Sequence, residues 1–174
     1  MAAQGDAHYK QLAPLEIEIE SGTVLIEALK AISVTTPLCK YQLKPKSLVL
    51  LRIGASAERA LAMLESVTVV ADKRSTELRF GEEALVSVQA PSASELVGEE
   101  GIGIRQVRQH QLGENLHIAI MEYSLIQATE RIELVKKIVH SESAHDKALR
   151  ARLLKALAVL NVVTTRHGQY SGGR

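Results

Sequence analysis

Apolar and polar positions alternate, cluster and alternate again along the chain, and each change of spacing marks an element. Leu15 to Glu20 alternates apolar and acidic residues over six positions, which predicts a half-buried strand. Ser21 can cap a following helix through its hydroxyl. Val24, Leu25, Ala28, Leu29 and Ile32 then recur at helical spacing, predicting a helix from Thr23 to Ile32. Val34 to Leu43 is β-branched and apolar enough for a strand, with Pro37 either weakening it or placing it at an edge. Lys44-Pro45-Lys46-Ser47 reads as a turn. Leu48 to Ile53 is an apolar run broken only by Arg52, the pattern of a strand buried on both faces. Gly54 ends it, and Ser56 caps a second predicted helix from Ala57 to about Val67, with Ala60, Leu61, Leu64 and Val67 as its stripe. Val67 to Val70 is ambiguous, because β-branched residues crowd the end of that helical pattern. A charged loop, Asp72 to Ser75, precedes short strands at Glu77 to Phe80 and Ala84 to Val88, and Ala90-Pro91-Ser92 breaks the pattern.

The resulting order, β-α-β-β-α-β, predicts an α+β, ferredoxin-like fold with its helices on one face of the sheet. Residues 1–14 are small, polar and aperiodic, a flexible tail; residues 15–97 form the α+β domain. Residues 98–174 add a hairpin and two helices, Leu125 to His140 and about Ser143 to Leu160, either packed on the first domain or separate. In the hairpin, Gly113-Glu114 has the composition of a type II′ loop. That register sets Arg105 opposite Glu122 and His110 opposite His117. A loose echo links Ile17–Glu27 to Ile118–Gln127, each a strand, an acidic residue, a turn and an expected helix.

Composition narrows the function classes. The 174 residues are 46% hydrophobic and 24% charged, with a formal net charge of +1, which excludes a disordered or strongly basic chain. No apolar run is long enough to span a bilayer, no secretory leader is expected at Met1 to Gln11, and membrane partners are not expected. The single cysteine, Cys39, rules out an internal disulfide framework and suits a cytoplasmic setting. Aromatic residues are 3% of the chain, too few for base-stacking platforms. Lysines and arginines from Lys136 to Arg166 read as the wet side of a helix diluted by acidic neighbours, so nucleic acid is not an expected partner.

Catalytic chemistry is scarce. There is no nucleotide-binding glycine loop and no GxSxG elbow, and Cys39 reads as a small core residue. His110 and His117 are weak metal candidates if they face each other across the hairpin; His140 and His145 lie in a polar segment suited to capping. No cofactor is expected, and an enzyme is not favoured.

Residues 17–97 resemble the shell-protein domain of bacterial microcompartments. The phrases that carry the resemblance are Glu20-Ser21-Gly22 with Val24 to Ala28, Leu29-Lys30-Ala31, the Lys44–Ser47 turn, Leu85 to Val88, Pro91 and Ser94-Glu95-Leu96. The chain departs from the family in a shorter first helix, a turn without the family's glycines and additional residues before Leu85. The resemblance implies a self-assembling, non-catalytic homo-oligomer, with related subunits as further partners, in which Lys30 lies at the subunit edge. Lys44, Pro45, Lys46 and Ser47 would line a small-metabolite pore. The alternatives are a ligand-responsive regulator, since residues 47–66 also resemble a winged-helix segment, and an accessory subunit of an enzyme complex.

Overall fold

Val24, Leu25 and Ile26 are consecutive in sequence, and all three are buried. An extended strand covered on both faces achieves this, and that is what they form. The structure, a computed structural model, describes residues 2–3, 7–92, 95 and 106–122. Among these the regular elements are twelve β-strands: β1 (Ala2–Ala3), β2 (His8–Ala13), β3 (Glu16–Glu27), β4 (Ile32–Thr35), β5 (Lys40–Leu43), β6 (Leu48–Ile53), β7 (Ala57–Leu64), β8 (Val67–Ala71), β9 (Arg74–Leu78), β10 (Glu82–Ser87), β11 (Gln106–Gly113) and β12 (Leu116–Glu122).

The strands hydrogen-bond in the order β11-β12-β10-β7-β6-β3-β4-β5-β8-β9, with β1 and β2 added along β3. The ladder folds over on itself as a flattened, nearly closed barrel. β3 makes the fold-over: its first half pairs with β2 and β4, and its second half pairs with β6 and β1. Gly22 marks the change, with φ +99°, and the inward positions shift there from Ile17 and Ile19 to Val24 and Ile26. β3–β4 is the one parallel junction in the path. The end strands β9 and β11 therefore run in the same direction across the remaining seam.

The registers place whole rows of side chains inside. Ile53, Glu58, Val86 and Ile118 form one row across β6, β7, β10 and β12. Ile17, Val34, Tyr41 and Val69 form another on the opposite wall. These rows belong to one core that fills the interior, as expected for a small barrel. The outward row Leu25, Leu50, Leu61, Glu83 and Met121 is also buried, so the central strands are covered on both faces.

The α+β, ferredoxin-like expectation is therefore corrected. The predicted helix at Thr23–Ile32 is the second half of β3 and the bend after it. The predicted helix at Ala57–Val67 is β7 and the start of β8. Ala, Glu, Arg, Leu and Met in β7 favour a helix in isolation, but pairing with β6 and β10 and burial of both faces override that preference. The winged-helix reading of residues 47–66 fails for the same reason, because this stretch is the β6–β7 hairpin. His8–Ala13, expected to be tail, is β2. The expected strand Val34–Leu43 is the β4–β5 hairpin, with Pro37 in its turn. Leu48–Ile53 is an interior strand as expected, with Arg52 its one exposed residue. The two expected helices after Ser124 lie outside the described residues. Among the described residues, no helix is long and apolar enough to cross a membrane.

Candidate functional site

Glu58 takes an inward position on β7 between Ile53 and Val86, and only 1% of it is exposed. A lone carboxylate there would lose most of its hydration. Four donors surround it instead. Thr36 Oγ1 lies 2.7 Å and the Tyr41 hydroxyl 3.1 Å from Oε2. The Cys39 thiol donates to the same oxygen at 3.5 Å, and the Leu38 N–H donates to Oε1 at 3.0 Å. Tyr41 reaches across from the opposite wall, so the cluster ties the two walls together and fastens the β4–β5 turn to β7.

Burial pushes the Glu58 carboxyl above its usual range, and the hydrogen bonds from Thr36, Leu38, Tyr41 and Cys39 pull it partly back. Thr36 Oγ1 is also 2.9 Å from the Cys39 carbonyl, and its single hydrogen serves one acceptor at a time. An ionised Glu58 takes that hydrogen. A protonated Glu58 donates to Thr36 Oγ1, which then turns to the Cys39 carbonyl. Both states are accommodated without an orphaned group. Burial, reinforced by the nearby Glu58 charge, pushes the Cys39 thiol up to about 12. It also raises the Tyr41 hydroxyl well above its usual range. A thiol this hard to ionise is a poor nucleophile, so the cluster reads as a structural anchor.

Just outside the anchor, the turns of β4–β5 (Pro37, Leu38), β8–β9 (Ala71–Arg74) and β11–β12 (Gln111–Leu116) enclose an open cleft of about 970 Å³. Its floor is apolar and its rim carries charges of both signs. Arg74 Nη1 donates to the Gln111 carbonyl at 3.1 Å and holds two of the turns together across the seam.

The residues singled out from the sequence lie elsewhere. Lys30 is exposed in the bend after β3, and Lys44–Ser47 is a turn at the same end of the barrel, opposite the cleft. The two segments are joined by Ala28 N to Ser47 O (2.9 Å) and Lys46 N to Ala28 O (2.7 Å). Lys44 Nζ is held by Ser66 Oγ at 2.8 Å and Glu77 Oε1 at 3.2 Å. Lys46 has φ 73°, Pro45 is exposed, and Ser47 is fully buried. His110 and His117 are not partners. A bulge between Gln111 and Gly113 shifts the register, pairing His110 with Ile118 and Gln111 with His117, so the two imidazoles sit on opposite faces. The turn residues are accordingly Glu114 and Asn115. Gln106, not Arg105, faces Glu122; Arg105 and His140 to Asp146 lie outside the described residues. No cluster of three metal-ligating side chains occurs among the described residues.

Sequence reasoning missed Glu58 because the helix reading drew its apolar stripe through Ala60, Leu61, Leu64 and Val67 and left Glu58 off it. Its only sequence signal is an acidic residue two positions before Ala60 and four before Ala62, the small inward residues of the same strand. It also missed β2. Among the described residues that strand pairs only with β3 and nothing pairs with its other edge, and five of its six residues are exposed. Tyr9 and Leu12 on it, and Leu15 just after it, are 49%, 52% and 48% exposed.

Among the described residues, fold and site together define a nearly closed, side-chain-filled β-barrel with a buried polar anchor, an end cleft and an edge strand paired on one side. Comparison with models of known protein families, with curated proteins and with solved structures finds no significant match.

Proposed function

We propose that the chain is a non-catalytic scaffold that associates with copies of itself by strand addition along β2. The observation that carries this reading is the second edge of β2, unpaired among the described residues, a row of backbone donors and acceptors beside exposed Tyr9 and Leu12. Edge strands of this kind are commonly guarded by a free lysine or a proline. The lysine of β2, Lys10, is instead drawn to Glu18 at 2.6 Å, and this contact raises its ammonium pKa.

Symmetry limits how two such edges can meet. An antiparallel pair about a two-fold axis is isologous, so each residue shares a face with its own copy. A pair centred on Lys10 would set ammonium against ammonium. A pair centred on Gln11 sets amide against amide, Lys10 against Leu12, and Tyr9 against Ala13, which favours this register. The lone buried thiol suits a reducing, cytoplasmic compartment. The pore and edge roles implied for Lys30 and Lys44–Ser47 draw no support from this geometry, since Lys44 is engaged within its own chain.

Sedimentation equilibrium from micromolar to millimolar full-length chain tests the reading. A dimer is expected, together with at least tenfold weaker association for Leu12→Lys, which would place ammonium opposite Lys10 on a residue already exposed. A single-chain mass throughout, or unchanged association of Leu12→Lys, would overturn it.

A further inference from the structure

We propose that the cleft at the turn end of the barrel is a binding site for a short, apolar, zwitterionic peptide. The inference rests on the cleft alone and stands apart from association through β2. At about 970 Å³ the cleft lies at the upper end of the range common for ligand sites, roughly 300–1,000 Å³.

Its walls select the ligand class by charge and position. Leu38 and Leu116, both half-buried, supply apolar lining over the buried Leu112, and Leu38 is held in place because its N–H donates to buried Glu58 at 3.0 Å. The β8–β9 turn contributes Lys73 and Arg74. One guanidinium nitrogen of Arg74 bonds the Gln111 carbonyl, and the other donors of the fork remain for a carboxylate. The facing β11–β12 turn contributes Glu114, which suits an ammonium. Asp72 turns towards Gly113, where its Oδ2 stands 2.5 Å from the place a Cβ would occupy. Negative charge thus reaches the β11–β12 side of the cleft from two residues. On the same β11–β12 side, the amides of Gln111 and Asn115 offer donors and acceptors that match peptide groups.

An aliphatic body with a carboxylate at one end and an ammonium at the other fits this arrangement. A uniformly anionic ligand would meet Glu114 and Asp72, and a uniformly cationic one would meet Lys73 and Arg74. A neutral apolar ligand would leave both charged walls without partners.

The test uses trileucine with free termini as probe, titrated into the isotopically labelled full-length chain and followed by amide shifts and calorimetry. Saturable binding is expected, with shifts centred on residues 38, 71–74 and 111–116. N-acetyl-trileucine amide should bind at least tenfold more weakly. Glu114→Lys and Lys73→Glu, both on exposed side chains, should each weaken the free peptide at least fivefold and leave the capped one unchanged. Absence of saturable binding to millimolar peptide would overturn the proposal. So would equal affinity for free and capped peptides, or shifts centred away from these turns.

Discussion

At the scale of single residues, Glu58 is the most consequential side chain described. Burial favours its protonated form in the folded state, so its pKa there stands above the ordinary 4.5. Its contribution to stability is therefore fully present below that ordinary value and declines as pH rises through the raised folded value. Glu58→Gln cannot ionise. Urea unfolding across pH should show the wild type losing stability relative to this variant above about pH 4.5; a constant difference would refute the assignment. Tyr41→Phe removes one hydrogen-bond donor from Glu58 and should cost about 1–2 kcal/mol. It should also move the pH dependence upward, because the Tyr41 hydrogen bond lowers the Glu58 pKa. Cys39, buried with its thiol held near 12, should react with a thiol reagent at pH 8 only as fast as the chain unfolds. Rapid labelling of the native protein would contradict this.

At the scale of elements, alternation and turn chemistry were legible, and helical spacing misled. Ile17 and Ile19 point inward as the alternation of Leu15–Glu20 implied, and Lys44–Ser47 turns where expected. The errors fell on strands buried on both faces. In Val24–Ile26 and Ala60–Met63 the apolar residues are contiguous, so the period-2 signal vanishes and a helical stripe can be drawn through them. β3 also changes its inward parity at Gly22, which no pattern of fixed period can represent. Gly22 has φ +99°, and a Cβ there would stand 2.5 Å from the backbone of Ala7. The left-handed backbone alone costs roughly 1–2 kcal/mol for a residue with a side chain. Gly22→Ala should therefore lower stability by at least that much in urea unfolding and loosen the pairing of β2 with β3. An unchanged midpoint would show that the bend tolerates a side chain.

At the scale of the whole molecule, stability should follow position in the ladder. β6 is paired on both sides and buried on both faces, whereas among the described residues β2 and β11 are edges with exposed residues. In hydrogen exchange at micromolar concentration, β6 amides should be the slowest and those of β2 and β11 among the fastest. Raising the concentration should slow β2 selectively if copies associate there. Protection of β2 equal to that of β6 in the dilute chain would contradict this order.

By itself the sequence determined what depends on neighbouring residues: the alternation at the start of β3, the turn at Lys44–Ser47, the apolar run of β6 and the lone cysteine as a core residue. Tertiary structure decided what depends on contacts distant in the chain. It covered β7 on both faces against its own helical preference and shifted the β11–β12 register so that His110 and His117 part. It also brought Thr36, Cys39, Tyr41 and Glu58 together across the core. Residues up to 22 positions apart share that one carboxylate, and local spacing carries no record of which distant strand will lie opposite.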